Sequence, residues 1–168
     1  MVIPYILGML VPWAGIYCGV LLGINSPEEL KPGAPYLRLL GSVIYGLIIG
    51  VAISYLFAVP VNYTHYGLSI LIVLLILSKV MEVHPFPVYT LMGFMLAFFI
   101  GHVEFFILLG SLLFLYGLPV GSEMVTPHSK HRRITTPRAQ LFLRAWKASW
   151  GFFLLICGLF VFFLYTGA

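Results

Sequence analysis

The chain contains no aspartate, and charged residues make up only 8% of its 168 positions. A water-soluble domain carries roughly a quarter charged residues on average, so this composition excludes an ordinary soluble fold. The lack of aspartate also removes one member of a Ser-His-Asp triad, and no nucleophile-elbow motif is present. With 61% hydrophobic residues, the chain is predicted to be an integral membrane protein, most simply of the cell membrane.

Cysteine and metal-binding motifs are equally scarce. Cys18 and Cys157 are the only cysteines, and both lie in apolar stretches, where they are interpreted as small buried residues. No HExxH, ExxH or CxxC motif occurs, so neither a metal site nor a cofactor is predicted. The net charge of +4 does not indicate nucleic-acid binding, because the basic residues gather at the ends of apolar segments.

Long apolar segments dominate what is present. A helix needs about 20 apolar residues to cross a bilayer, and lipid offers no partner to an unpaired backbone group, so spanning segments are helical. The predicted spans are 3–23, 38–58, 66–84, 87–101, 102–119 and 141–166. Together they predict an all-α polytopic bundle that forms one integral membrane domain over residues 1–168. No lysine or arginine precedes the first segment, which is therefore interpreted as a retained span rather than a signal peptide.

The fourth and fifth spans are short, with Gly101 between them, and form either two crossings or a re-entrant hairpin. Both alternatives place the three clusters of lysine and arginine on one side of the membrane: Lys31 with Arg38, Lys79, and the stretch from Lys130 to Lys147. The positive-inside rule makes that side cytoplasmic and leaves both termini outside.

Two loops carry helix-start signals. Ser26 and Pro27, followed by Glu29, predict a short helix in the first cytoplasmic loop. Thr136 and Pro137 predict the start of the last helix. Asn62 belongs to a glycosylation sequon that lies close to the membrane and is given little weight.

Small residues recur at every fourth position, which places them on one helix face. Such faces let helix backbones approach closely in lipid. The predicted packing residues are Gly15, Gly19 and Gly23, then Ser42, Gly46, Gly50 and Ser54, and finally Gly93 and Ala97, with Gly101 continuing the last series.

Ionisable residues at membrane depth are costly and are therefore candidates for function. One group lies at the cytoplasmic end of the third span: Lys79, Glu82 and His84. The other, His102 and Glu104, follows Gly101. Both are candidates for proton or ion handling, with an ion pair and a polar turn as the plainer alternatives.

The third candidate region is the basic loop and the start of the last helix. Its residues are His128, Lys130, His131, Arg132, Arg133, Arg138, Arg144 and Lys147. Basic residues beside a membrane attract anionic lipid headgroups at about 1 kcal/mol each. The region is interpreted as a topology determinant or as a site for a phosphorylated lipid.

These features favour a small non-enzymatic membrane protein: a transporter, an ion-conducting protein, or a membrane subunit of a larger complex or homo-oligomer. The alternative is a membrane enzyme that acts on a phosphorylated lipid at the cytoplasmic face, with Arg132, Arg133 and Arg138 binding phosphate and a histidine as the acid–base group. The expected partners are the bilayer and its anionic headgroups, and nucleic acid is not expected.

Overall fold

The computed structural model of the protein describes residues 3–60, 62–80, 85–125, 140–147, 149–151, 154 and 158. None of these residues lies in a β-strand. The helices are α1 (Ile3–Asn25), α2 (Pro27–Ala58), α3 (Tyr63–Val80), α4 (Pro85–Phe98) and α5 (Val103–Val125). The described residues between 140 and 158 are also helical and are called the C-terminal segment. The predicted all-α class is therefore confirmed.

Helix α2 begins where the sequence predicted a helix start. Ser26 is its N-cap residue and Pro27 takes the first helical position, where the missing N–H removes no hydrogen bond. The Ser26 side chain makes no capping hydrogen bond. The helix then continues for 32 residues, past Pro32 and Pro35. The expected separate loop helix is therefore wrong: this region and the predicted span form one helix.

Helical structure is interrupted between α4 and α5, close to the predicted position. The amide of Phe99 donates to the carbonyl of Leu96 at 3.1 Å, a 3₁₀-type bond that tightens the end of a helix. Helix α4 has 14 residues and is short, as expected. Helix α5 has 23 residues and encloses Pro119, so the prediction that the fifth helix is short and ends at this proline is wrong.

Helices α1 and α5 are parallel and lie in contact along most of their length. The contacting pairs, in order along both helices, are Gly8–Phe106, Gly15–Phe114, Gly19–Leu118 and Gly23–Val125. Because both numbers rise together, the two helices start at the same end of the bundle.

Each remaining helix reverses the direction of its predecessor. Helix α2 is antiparallel to α5, through the pairs Arg38–Glu123, Gly41–Pro119, Tyr45–Tyr116 and Tyr55–Phe105. Helix α3 is antiparallel to α2, through Tyr55–His65 and Tyr45–Leu75. Helix α4 is antiparallel to α3, since Gly67 faces Phe98. The C-terminal segment is antiparallel to α1, through Tyr17–Phe142 and Trp13–Trp146. The described helices therefore form an up-and-down bundle.

Two apolar clusters hold the bundle together. The larger one has members on all five helices, and its fully buried members include Ile48, Leu75, Met92 and Leu109. In the smaller one, Val20 of α1 and Leu30 of α2 pack with Val125 at the end of α5. The C-terminal segment contributes Leu141 and Ala145.

Two helical stretches are long and apolar enough to cross a membrane by themselves, Pro32–Ala58 and Val103–Val125. The apolar stretches described in α1, α3 and α4 are shorter: Leu10–Asn25, Tyr63–Leu77 and Pro87–Phe98. Length and composition thus support two of the six predicted spans in the part of the chain that the structure describes.

Candidate functional site

The small residues of α1 lie against the backbone of α5. A methyl group added at Gly19 would come within 2.8 Å of the Gly117 carbonyl oxygen, and one added at Gly117 would come within 2.6 Å of the Gly15 carbonyl carbon. Real side chains do not approach so closely. Gly15, Gly19 and Gly23 are all buried, so they form a packing seam with α5.

Half of this seam is absent from the sequence prediction. Gly110, Gly117 and Gly121 supply the α5 side of the contact, and Gly117 and Gly121 have the same spacing of four that marks α1. The signal was present in the sequence, but Pro119 stands between the two glycines and led to the placement of a helix end there.

The predicted seam of α2 has a different environment. A methyl group added at Gly46 or Gly50 would meet no atom of the described chain within 4 Å, and Ser42 and Ser54 are exposed. Ser54 bonds instead to its own helix, at the Gly50 carbonyl, 2.9 Å away. The expectation that these residues pack against another helix does not hold among the described residues.

An open apolar groove of about 360 Å³ takes the place of that contact. Its walls are the Gly46–Ser54 face of α2 and the side chains of Phe105 and Leu108 on α5. In α4, by contrast, Gly93 is buried and Ala97 packs against the larger apolar cluster.

Two basic residues lie toward the end of the bundle where α2 begins and α3 ends, here called the cationic end. The Nζ atom of Lys79 lies 5.7 Å from the centre of the Tyr45 ring, a cation–π distance. Arg38 lies 3.6 Å from a carboxylate oxygen of Glu123. Sequence reasoning missed this pair, because its partners are 85 positions apart and no local pattern joins them. Glu82 and His84 are the partners that the sequence predicts for Lys79, and both lie outside the described residues.

The basic loop is for the most part outside the described residues: His128, Lys130, His131, Arg132, Arg133 and Arg138. Arg144 and Lys147 are described and exposed. They flank Trp146, whose ring packs edge-on against Trp13, with 5.9 Å between ring centres. Trp13 lies near the middle of α1. Arg144 and Lys147 are therefore level with the middle of the bundle and not with its cationic end.

The second predicted ionisable pair lies at the opposite end. His102 and Glu104 are both exposed, beside the break between α4 and α5. The amide of Phe106 donates to the His102 carbonyl at 2.9 Å, in the first turn of α5. Glu104 occupies the same turn, where a carboxylate is favoured by the helix dipole. The two side chains form part of a polar turn.

His102 also belongs to an aromatic cluster centred on Tyr55, called the Tyr55 cluster and composed of Tyr55, His65, Phe99, His102 and Phe105. The ring of His65 stacks almost parallel to that of Tyr55, with centres 5.6 Å apart and an interplanar angle of 4°. The ring of His102 meets Tyr55 edge-on at 5.0 Å. Two titratable rings therefore contact the same tyrosine.

His65 is buried, with only 4% of its surface exposed. Its Nδ1 atom lies 2.6 Å from Oδ1 of Asn62, while its Nε2 atom is buried and has no hydrogen-bond partner among the described residues. Sequence reasoning missed His65, since a lone histidine among apolar residues has no pattern, and its burial depends on α2.

Asn62 holds the start of α3. Its Oδ1 atom accepts a hydrogen bond from the Thr64 backbone amide at 3.2 Å and another from the Thr64 hydroxyl. This is the side-chain capping expected of an asparagine before a helix. The sequon residues Asn62 and Thr64 thus have a structural role.

Three or more His, Cys, Asp or Glu side chains do not come together as a metal-ligating group anywhere in the described part of the chain. No family model, curated protein or solved structure matches this chain. The arrangement can exchange protons through histidine rings and can hold cations against aromatic faces.

Proposed function

We propose that this protein is a six-span integral membrane protein, with one membrane domain over residues 1–168, that handles protons or small cations. The alternation of helix direction supports the six spans, because each helix returns the chain to the opposite end. Large exposed apolar side chains, such as Leu22 (56%), Phe57 (87%) and Ile70 (61%), suit contact with lipid.

One observation carries the proposal: lysine and arginine are distributed unequally between the two ends of the bundle. Arg38 and Lys79 lie toward the cationic end, whereas the described residues at the end occupied by the Tyr55 cluster include Glu104 and no lysine or arginine. The positive-inside rule then assigns the cationic end to the cytoplasm, and the start of α1 to the outer side.

Arg144 and Lys147 fit this orientation by snorkelling. Both residues are level with the middle of α1. Inserting an isolated charge at the middle of a membrane costs roughly 2.5–3.5 kcal/mol on insertion scales. Their long apolar stems allow the charged groups to reach toward the headgroups.

Proton or cation handling is the activity that suits these groups. The outer end combines the rings of His65 and His102 with the Glu104 carboxylate, and no group of three or more metal-ligating side chains occurs there among the described residues. Histidine is the side chain that changes charge near neutral pH.

Labelling of single cysteines tests the orientation. On a background with Cys18 and Cys157 replaced by alanine, we expect Val80→Cys to react with an impermeant maleimide from the cytoplasmic side only. Tyr63→Cys, at a position 93% exposed, should react from the other side only. Reaction of both variants from the same side would overturn the proposed topology. A scan from Phe98 to Ile107 then gives the depth of His102 and Glu104.

Flux in proteoliposomes tests the activity. The wild-type chain should dissipate an imposed proton or cation gradient faster than empty vesicles. Glu104→Gln and Glu82→Gln should reduce that rate by removing carboxylates. Wild-type rates equal to those of empty vesicles would eliminate proton and cation handling.

A further inference from the structure

We infer that the exposed face of the C-terminal segment binds a transmembrane helix of another protein, one that carries a glutamate or aspartate near its middle. This inference rests on the membrane placement proposed above. The face, called the Arg144 face, consists of Leu143, Arg144, Trp146, Lys147, Trp150 and Leu154. The partner's carboxylate pairs with the cations of this face.

The Arg144 face is turned away from the bundle. Leu141, Ala145 and Ser149 follow one another at every fourth position and are all buried, so their side of the segment packs inward. Arg144 and Lys147 are neighbours on the opposite side, three positions apart, and both are exposed. Neither cation forms an ion pair with a described residue.

These two charges lie at a depth where charge is costly. Trp146 stands between them in the sequence and contacts Trp13, near the middle of α1. The middle of a bilayer is about 15 Å from either edge of its hydrocarbon layer. A lysine side chain, with its four-carbon stem, extends only about 6 Å at ordinary bond lengths. Snorkelling therefore brings each charge nearer to water but leaves it within the hydrocarbon.

An ion pair removes this cost. The guanidinium group keeps its charge throughout the pH range of proteins, so Arg144 does not become neutral by losing a proton. Ionisable residues inside membranes pair with one another, and a carboxylate accepts two parallel hydrogen bonds from a guanidinium group. A carboxylate at the depth of Arg144 therefore satisfies both helices, since each charge is costly in lipid by itself.

The aromatic residues of the face also suit a protein partner. Trp146 and Trp150 are 40% and 49% exposed. In membrane proteins, tryptophan is enriched at the level of the headgroups, whereas Trp146 is level with the middle of α1. Tryptophan and arginine are enriched among the residues that contribute most to protein–protein binding. Their combination at this depth favours a protein contact over a lipid contact.

A second copy of this chain does not supply the carboxylate. All five acidic residues are glutamates, and each lies within two residues of the end of a described helix: Glu28, Glu29, Glu82, Glu104 and Glu123. Helix ends lie toward the membrane surfaces in the proposed topology, whereas the Arg144 face is level with the middle of the bundle. The partner is therefore a different protein.

Energy transfer between labelled molecules in phosphatidylcholine vesicles tests the pairing on the full chain. The probe is a synthetic leucine–alanine helix of about 20 residues with one glutamate at its centre, and a second peptide has glutamine there. We expect the glutamate peptide to bind the wild-type chain about tenfold more tightly, equivalent to about 1.4 kcal/mol. The double variant Arg144→Leu with Lys147→Leu should lose this preference.

Arg38→Gln is the matched control, because it removes an exposed cation at the cationic end and should retain the preference for glutamate. Equal binding of the two peptides by the wild-type chain, or an unchanged preference in the double variant, overturns the inference. Should the leucine variant not fold, glutamine at both positions takes its place.

The depth of the face is measured separately. A nitroxide attached to Leu143→Cys, on the background without Cys18 and Cys157, reports depth through its collisions with oxygen and with a water-soluble nickel complex. We expect a position near the middle of the bilayer. A label at headgroup level overturns the inference, because lipid phosphates then satisfy the cations, and leaves the proposed function intact. Absence of proton and cation flux in the wild-type chain overturns the proposed function and leaves the peptide result standing.

Discussion

The hydroxyl of Ser122 on α5 donates a hydrogen bond of 3.0 Å to the backbone carbonyl of Gly19 on α1. A serine side chain is short, so it reaches a neighbouring backbone only where two helices almost touch. Gly19 and Gly121 both lie at this crossing, each without a side chain between the helices. The bond shows that backbone proximity, more than side-chain interlocking, joins α1 to α5.

The first prediction concerns that crossing. Gly121→Ala places a methyl group in contact with the Ile16 carbonyl oxygen and 2.8 Å from the Val20 nitrogen, both backbone atoms of α1. We expect a loss of about 1–3 kcal/mol in the free energy of unfolding, as for other overpacked cores, measured in detergent by circular dichroism.

Gly46→Ala is the matched control, since its methyl group has no described atom within 4 Å. It should leave stability unchanged or raise it, because alanine favours a helix more than glycine does. Equal destabilisation by both variants would contradict the assignment of the seam to α1 and α5.

The cap of α3 gives the second prediction. Asn62→Ala removes the oxygen that accepts the Thr64 amide and should cost about 0.5–2 kcal/mol. Asn62→Asp retains a capping oxygen and should cost much less. Hydrogen exchange at the Thr64 amide checks the cause: exchange should accelerate in the alanine variant and remain slow in the aspartate variant.

A third prediction concerns the Tyr45 hydroxyl, which donates to the Leu75 carbonyl. Tyr45→Phe should reduce stability by about 0.5–1.5 kcal/mol, the net value of a typical hydrogen bond. Tyr36→Phe, at a position 74% exposed, provides the comparison and should have no measurable effect. A neutral Tyr45→Phe would mean that the hydroxyl contributes nothing to joining α2 and α3.

The ion pair between Arg38 and Glu123 gives the fourth prediction. The side chains are 78% and 39% exposed, and exposed pairs contribute only about 0–1 kcal/mol. A double-mutant cycle with Arg38→Gln and Glu123→Gln should therefore give a coupling energy below about 1 kcal/mol, and the coupling should decrease as salt is added. A larger value would mean that the pair is shielded from water.

Local chemistry accounts for the features that the sequence predicted correctly. Ser26 and Pro27 start a helix because the proline has no amide to lose at that position. The break near Gly101 follows from a weak helix residue between two apolar runs. Each of these signals acts within one turn, so no knowledge of packing is required.

The features that were missed depend on neighbours distant in sequence. Pro119 predicts a helix end from the sequence alone, but neighbouring helices can satisfy the backbone group that a proline leaves unpaired. Gly46 and Gly50 carry the same spacing as Gly15 and Gly19, and spacing alone does not reveal whether a partner lies opposite. His65 is distinguished only by its burial and by the stacking of its ring against Tyr55, and no local pattern in the sequence reveals either.

Helix α2 is longer than a bilayer is thick. At 1.5 Å per residue, its 32 residues extend about 48 Å, beyond the roughly 30 Å of hydrocarbon in a bilayer. Pro27 and Tyr55 lie on one continuous helix, with Pro32 and Pro35 between them. The polar first turns of α2, which precede the apolar stretch Pro32–Ala58, therefore extend beyond what the hydrocarbon layer can cover.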